Sequence, residues 1–462
     1  MIKQLKAIQH IFADFFHRHL LLMFVILPLI ILTAKTVGFL TAIWVIIFMP
    51  FFWLKDRRTA AILLTHIIFI IGDNRAVWAD NVRPVRNIAM SLLFILTVWD
   101  IIQGKYKLNL SFLLWLPFIA WCIFGITRSP IPLDCGLRTL SYFFMIFISL
   151  HSIVYEFKRT KGRFVTDWIS FMNVAFLIGL LLLILKPDWV ILALEFVEEA
   201  DGARYQGVYG NPNGIGMACT VLFPMLMLER FYLRHFPKAY SNLSFLILII
   251  TMLLSGSRST LLSTILFSIF FYIENRNLFI RNALKYLVIP GSGLFLSLFG
   301  MKIILAIPVL AKRLRISEGM SFEDVTSGRG QVWNFLFTVG RFSKIEEWIW
   351  LGKGFYYDSY FFFKLFTTYH LPHQFAGVFS GIMALIMNHG LIGIVIFFIT
   401  HIICYRRIKL NAFILPLFIL MFFSSIFESW IVSSLNAFSL MFYAIVAIGQ
   451  TDMSDFQRAN KK

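Results

Sequence analysis

Apolar residues fill this chain in runs separated by short polar clusters. The runs fall at about 20–34, 37–54, 59–72, 87–102, 110–126, 137–155, 168–185, 211–228, 243–256, 259–273, 286–308, 378–400, 411–427 and 430–449. A helix crossing a hydrocarbon core of ~30 Å needs about 20 residues, so the shorter runs must draw on their flanks. The pattern predicts about 12–14 transmembrane helices, the lower number applying if short neighbours merge or re-enter. Ahead of the first run, Ile2, Leu5, Ile8, Phe12, Phe15 and Phe16 recur at near-helical spacing with Lys3, Lys6 and His17 among them. That pattern predicts a helix over 1–19 lying in the headgroup region. No small-residue cleavage site follows the first run, so it reads as an uncleaved anchor.

One long polar break, 311–377, interrupts the pattern late. The segments are then an interfacial helix (1–19), N-terminal membrane helices (20–200), a second membrane region (201–310), the large loop (311–377), C-terminal membrane helices (378–449) and a tail (450–462).

Composition fixes the class. Of 462 residues, 59% are hydrophobic and only 14% charged, whereas soluble domains carry about 25% charged residues. The chain is predicted to be an all-α polytopic membrane protein. Basic residues set its orientation. Lys55, Arg57 and Arg58, then Lys105 and Lys107, then Lys158, Arg159, Lys161 and Arg163, then Arg230, Arg234 and Lys238, then Arg276, Arg281 and Lys285, then Arg406, Arg407 and Lys409 occupy every second loop. Those loops and both termini are expected in the cytoplasm. The segments 73–86, 187–210, the Ser255–Arg258 turn and the large loop are expected outside. The formal charge of +18 reflects this orientation and attraction to anionic membrane lipids, not nucleic-acid binding.

Several chemistries drop out. The loops expected in the cytoplasm are too short to fold into a nucleotide-binding domain, and the chain has no phosphate-cradling P-loop. No Cys or His cluster has zinc-ligand spacing, so no metal or other cofactor is expected. Cys135 reads as the one cysteine in an external loop, and no structural disulfide is expected. An enzyme built this way works at its external face on a substrate that arrives activated and membrane-bound, such as a lipid diphosphate-linked sugar.

Three constellations occupy that face. Arg204-Tyr205-Gln206-Gly207-Val208-Tyr209 leads into Gly210-Asn211-Pro212-Asn213. Pro and Asn favour a turn there, with Asn213 placed to cap the following helix, and Arg204 suits an anion near the helix start. Next, Ser255-Gly256-Ser257-Arg258-Ser259-Thr260 joins two apolar runs. Arg258 either snorkels to lipid headgroups or grips a bound diphosphate with its planar fork. The third lies in the large loop: Gly328-Arg329 with Trp333, Leu351-Gly352-Lys353-Gly354, an aromatic stretch over 356–369, and His373. The aromatic stretch reads as a helix in the membrane interface or as the lining of a sugar groove. His66, His151, His389 and His401 lie in or beside apolar runs and read as structural hydrogen-bonders. His373, at the end of the external loop, has the ordinary titration range of a general base.

These residues resemble the O-antigen ligase and polymerase superfamily of bacterial envelope glycosyltransferases. Arg258 with Leu262 matches the ligase branch's Arg-x3-Leu motif, and His373 with Gly381 matches its His-x7-Gly motif. The Arg204–Asn213 segment and Gly328-Arg329 with Trp333 match further elements, so the likeness spans about 200–400. The sequence departs from the pattern in having Gln374 after the histidine and Gly390-Leu391-Ile392-Gly393 further on than usual.

The resemblance implies a GT-C-like fold in the bacterial inner membrane. It implies a donor glycan on undecaprenyl diphosphate and a lipid A–core or glycan acceptor. Arg258, Arg204 and Arg329 would hold the diphosphate and His373 would act as base, with His370 or Asp358 as its replacement. A ligase acting on lipid A–core is the first reading. A polymerase extending carrier-linked glycan is the alternative, and a flippase or transporter of lipid-linked sugars is a further one. For transport the chain offers few mid-membrane ionisable residues (His66, Asp100, His151, Glu428) and no clear repeat.

Overall fold

The computed structural model of the protein describes residues 2–73, 81–192, 204–275, 332–333, 336, 345–369, 378, 380–431 and 435–452. Among them, helices follow the apolar runs closely: α1 (Ile2–Arg18), α2 (Leu27–Thr36), α3 (Leu40–Leu54), α4 (Arg58–Gly72), α5 (Arg83–Ile102), α6 (Leu116–Arg128), α7 (Pro132–Ile148) and α8 (Val154–Arg159). The series continues with α9 (Arg163–Leu185), α10 (Pro212–Leu228), α11 (Lys238–Ser255), α12 (Arg258–Glu274), α13 (Ile345–Trp348), α14 (Tyr357–Tyr369), α15 (Gly381–Arg406), α16 (Asn411–Phe427) and α17 (Ala437–Gly449).

Seven continuous helical stretches among the described residues are long and apolar enough to cross a membrane: Arg83–Ile102, Leu110–Arg128, Pro132–Arg159, Arg163–Leu185, Pro212–Leu233, Lys238–Ser255 and Gly381–Arg406. α1 and the helical stretch after it, bent by 76° between Arg18 and Leu22, make an eighth when taken as one span. Four shorter apolar helices accompany them. The protein is an all-α multi-pass membrane protein. The predicted run at 286–308 lies outside the described residues.

The chain folds into two compact units. The first comprises Met1–Phe112, Ser141–Thr260 and Ser434–Lys462, and the second Leu113–Leu140 and Leu261–Ser433. The hydropathy segments 20–200 and 201–310 therefore both feed the first unit, because helix packing joins pieces distant in sequence. Within that unit α10 packs along α11, and α5 lies against α3 and α4.

Two polar clusters in the first unit join segments distant in sequence. One holds Asp56, Arg159 and Glu156, with Arg159 Nη1 donating to Asp56 Oδ2 at 2.7 Å. The other holds Arg86, which donates to Asp73 and, at 3.1 Å, to the Leu435 carbonyl. Asp100, a candidate transport group by sequence, is fully buried and accepts from Arg58 Nε at 2.8 Å and Lys105 Nζ at 2.7 Å. It is an ion-paired anchor.

The second unit is organised around a broken helix. At Gly390, inside α15, the backbone turns to φ 70° and ψ 179°. There the segment before α14 docks: Gly354 N–H donates to the Asn388 carbonyl at 2.7 Å, and Leu391 N–H donates to the Ile349 carbonyl at 2.8 Å. A Cβ on Gly390 would stand 2.2 Å from the Trp350 carbonyl oxygen, so no other residue fits without moving the backbone. The break thus joins Leu351-Gly352-Lys353-Gly354 to Gly390-Leu391-Ile392-Gly393. Cys135, expected in a loop, is instead buried on α7, because Gly354 packs closely against its sulfur.

Candidate functional site

The segment 187–210, expected as a plain loop, contains a two-residue antiparallel ladder, β1 (Ile191–Leu192) with β2 (Arg204–Tyr205). This ladder presents Arg204. Its Nε donates to the Ser255 carbonyl at 3.1 Å and its Nη2 to Asn213 Oδ1 at 2.9 Å. One guanidinium therefore ties the start of α10 to the end of α11, bringing the first two sequence constellations together.

The local sequence explains the turn geometry. Asn211, not Asn213, caps α10: its Oδ1 accepts from Asn213 N–H at 3.1 Å with Asn211 in an extended conformation. Asn213 already lies inside the helix, which leaves its side chain available to accept from Arg204. Gly256 ends α11 in the left-handed region (φ 61°), returning its N–H to the Leu253 carbonyl, the usual role of a helix-terminating glycine. Two residues later Arg258 opens α12, half-buried.

Beneath it, Thr260 Oγ1 donates to Ser257 Oγ at 2.8 Å, and Ser257 N–H donates to Ser255 Oγ at 3.3 Å. α10 meets this hydroxyl knot through Gly216, where an added Cβ would stand 2.6 Å from Thr260 Oγ1.

The electrostatics favour an anion. Two 17-residue helices, α10 and α12, begin in this cluster, and helix N-termini carry partial positive charge. The stretches 204–216 and 255–260 contain two arginines and no carboxylate. Tyr205 and Tyr209 are buried alongside, and burial pushes both phenols above their ordinary range; the Tyr209 hydroxyl donates to Met172 Sδ at 3.5 Å. The Tyr209 ring stacks against Phe438, with centroids 6.0 Å apart.

The large loop is described only in part. Arg329, His370 and His373 lie outside the described residues. Trp333 Nε1 donates to the Val378 carbonyl at 3.2 Å. Gly381, closing the His-x7-Gly motif, donates its N–H to the Glu428 carbonyl at 3.1 Å. A Cβ there would lie 2.9 Å from that oxygen, so packing alone accounts for this glycine.

The predicted aromatic helix is present as α14. Asp358 at its start accepts from Asn388 Nδ2 at 3.0 Å, and desolvation raises its carboxyl above the ordinary range despite that bond.

The four membrane histidines divide into two kinds. Phe147 and Phe397 carbonyls hold His151 and His401 at 2.8 and 2.9 Å, as structural histidines. His66 instead packs edge-on to Trp168 and Phe171 with neither ring nitrogen bonded among the described residues, where the Nε2 of buried His389 is likewise unpartnered.

Sequence reasoning missed the Arg86–Asp73 pair. Nothing local marks it, since its third partner, the Leu435 carbonyl, lies 349 positions away. No protein-family model, curated protein or solved structure matches the chain.

Proposed function

We propose that the protein is an O-antigen ligase-like glycosyltransferase of the bacterial inner membrane, with both termini in the cytoplasm. It would move a glycan from undecaprenyl diphosphate to lipid A–core at the periplasmic face, without nucleotide or metal. One observation carries the reading: Arg204 is fastened to the turn that presents Arg258, where two helices begin. That arrangement suits a diphosphate, whose oxygens match guanidinium forks and helix N-termini.

In this reading the acceptor hydroxyl attacks the anomeric carbon from the face opposite the leaving group. A carbon–oxygen bond to the acceptor forms as the bond to the diphosphate breaks, inverting the anomeric centre. Arg258 and Arg204, with Arg329 assigned by resemblance, take up the charge growing on the departing diphosphate. His373, also assigned by resemblance, accepts the acceptor's proton. Diphosphate is a good leaving group, so no general acid is needed. The large loop, periplasmic in this orientation, and the GT-C-like architecture belong to the same proposal.

The test uses purified protein in lipid with an undecaprenyl diphosphate oligosaccharide, with and without lipid A–core. Glycan joined to lipid A–core supports the ligase reading. A ladder of longer glycans on the carrier, formed without that acceptor, would replace it with a polymerase. Failure of a matched donor to give either product would overturn both and turn attention to transport.

A further inference from the structure

A second polar site lies in the first unit, away from the Arg204 cluster. A cavity of about 580 Å³ opens where the start of α4, the end of α1 and the α8–α9 turn meet. Three carboxylates line it, each already engaged. Asp167 accepts from Arg18 Nη2 at 2.5 Å and lies 3.2 Å from His19 Nε2. Glu156, fully buried, accepts from Thr59 N–H at 3.2 Å and from Arg159 Nε at 2.8 Å. Asp56 accepts from Arg159 and Arg58.

The lining cations exceed these acids. Arg57, Lys161 and Arg163 also line the cavity, are exposed, and have no salt-bridge partner among the described residues. Two helices, α4 and α9, begin here with Arg57 and Gly162 at their N-caps; Glu156 and Thr160 Oγ1 accept from the Thr59 and Phe164 N–H groups of their first turns. A further observation points to a ligand. His19 lines the cavity at 6% exposure, and its Nδ1 has no hydrogen-bond partner among the described residues. A buried ring nitrogen without a partner is costly unless something supplies one.

We infer that this cavity binds a phosphate ester, taken either from an anionic phospholipid headgroup or from a free phosphate compound. Arg57, Lys161 and Arg163 hold its oxygens at the rim, the two helix N-termini add their partial charges, and His19 Nδ1 bonds it from within. Arg18 and His19 sit at the 76° bend after α1, so an occupied cavity would pin that bend to α9. The inference is independent of the proposed transfer reaction. Tyr205 of the first cluster meets α9 at Gly179, sixteen residues beyond Arg163 and hence roughly 24 Å along the helix.

The experiment compares full-length protein in discs of neutral phosphatidylcholine, titrated with inorganic phosphate, against discs containing phosphatidylglycerol. Thermal unfolding and hydrogen exchange over residues 14–20 are followed in each. Three forms are compared: the unchanged chain; Arg57→Gln/Lys161→Gln/Arg163→Gln; and a control, Lys55→Gln/Lys158→Gln/Lys238→Gln, which removes equal charge from exposed positions outside the cavity.

Saturable stabilisation by inorganic phosphate, with slower exchange at the bend, identifies a free phosphate compound. The same response only with phosphatidylglycerol identifies a headgroup. In either case the cavity variant should bind on the order of a hundredfold more weakly, about fivefold for each basic residue removed, while the control binds normally. Equal loss in the two variants, or no response to either phosphate source, overturns the inference.

Discussion

Replacing Arg204 by Ala tests the staple that assembles the candidate site. The side chain donates two charge-assisted hydrogen bonds, to the Ser255 carbonyl at 3.1 Å and to Asn213 Oδ1 at 2.9 Å. Such bonds contribute about 1.5–3 kcal/mol each. Arg204 is half-buried, which places both near the lower end, so Arg204→Ala should cost about 3 kcal/mol. Arg204→Lys keeps the charge but loses the planar fork, reaches one acceptor at a time, and should recover about half of that. Equilibrium unfolding of the purified protein in mixed micelles reads the difference. Hydrogen exchange over 204–216 and 255–260 should rise in step, because the bond joins those segments. If Arg204→Ala unfolds within about 0.5 kcal/mol of the unchanged chain, with the same exchange in both segments, the staple has no energetic role and the reasoning fails.

His373→Ala should reduce turnover far more than donor affinity; an unchanged rate would shift the base to His370 or Asp358. Gly390→Ala forces a side chain into a positive-φ position 2.2 Å from the Trp350 carbonyl. It should cost about 3 kcal/mol or more and expose 345–355 to protease, and unchanged protection would show that the α15 break is not held by this docking. Asp100→Asn removes one of the two carboxylates that pair with buried Arg58, Asp56 being the other, and should cost about 1.5–3 kcal/mol. Arg58→Met/Asp100→Leu should restore most of that stability, and a double variant as unstable as Asp100→Asn would argue for a role beyond pairing.

Helices were the legible part of this fold, because each apolar run states its own length and needs no distant partner to do so. α10, α11, α12 and α16 begin and end within a few residues of the runs that predicted them. Polar contacts were less legible. The choice of Asn211 over Asn213 as the α10 cap depends on which asparagine takes the extended conformation, and Arg204 recruiting the other one helps decide it. The Arg86–Asp73 pair and the docking of 349–354 onto the break at Gly390 depend on packing between remote segments. A trace of the latter was readable: Gly352, Gly354 and Gly390 all take positive φ, and their clustering in two motifs marks backbone that must approach backbone. For the site, Arg204 and Arg258 were named from local context and are found tied into one turn system. Asp358 was named only as a replacement base, and its raised carboxyl comes from burial under a helix that sequence spacing does not reveal.

The central claim is that the Arg204–Arg258 turn grips a lipid-borne diphosphate. Its most direct test is the affinity of purified protein for undecaprenyl diphosphate, in the unchanged chain and in Arg258→Ala, with correct insertion of both checked first. The account predicts saturable binding that Arg258→Ala weakens by more than about tenfold, the loss expected for one desolvated guanidinium–phosphate contact. Equal affinity in the two proteins would contradict it.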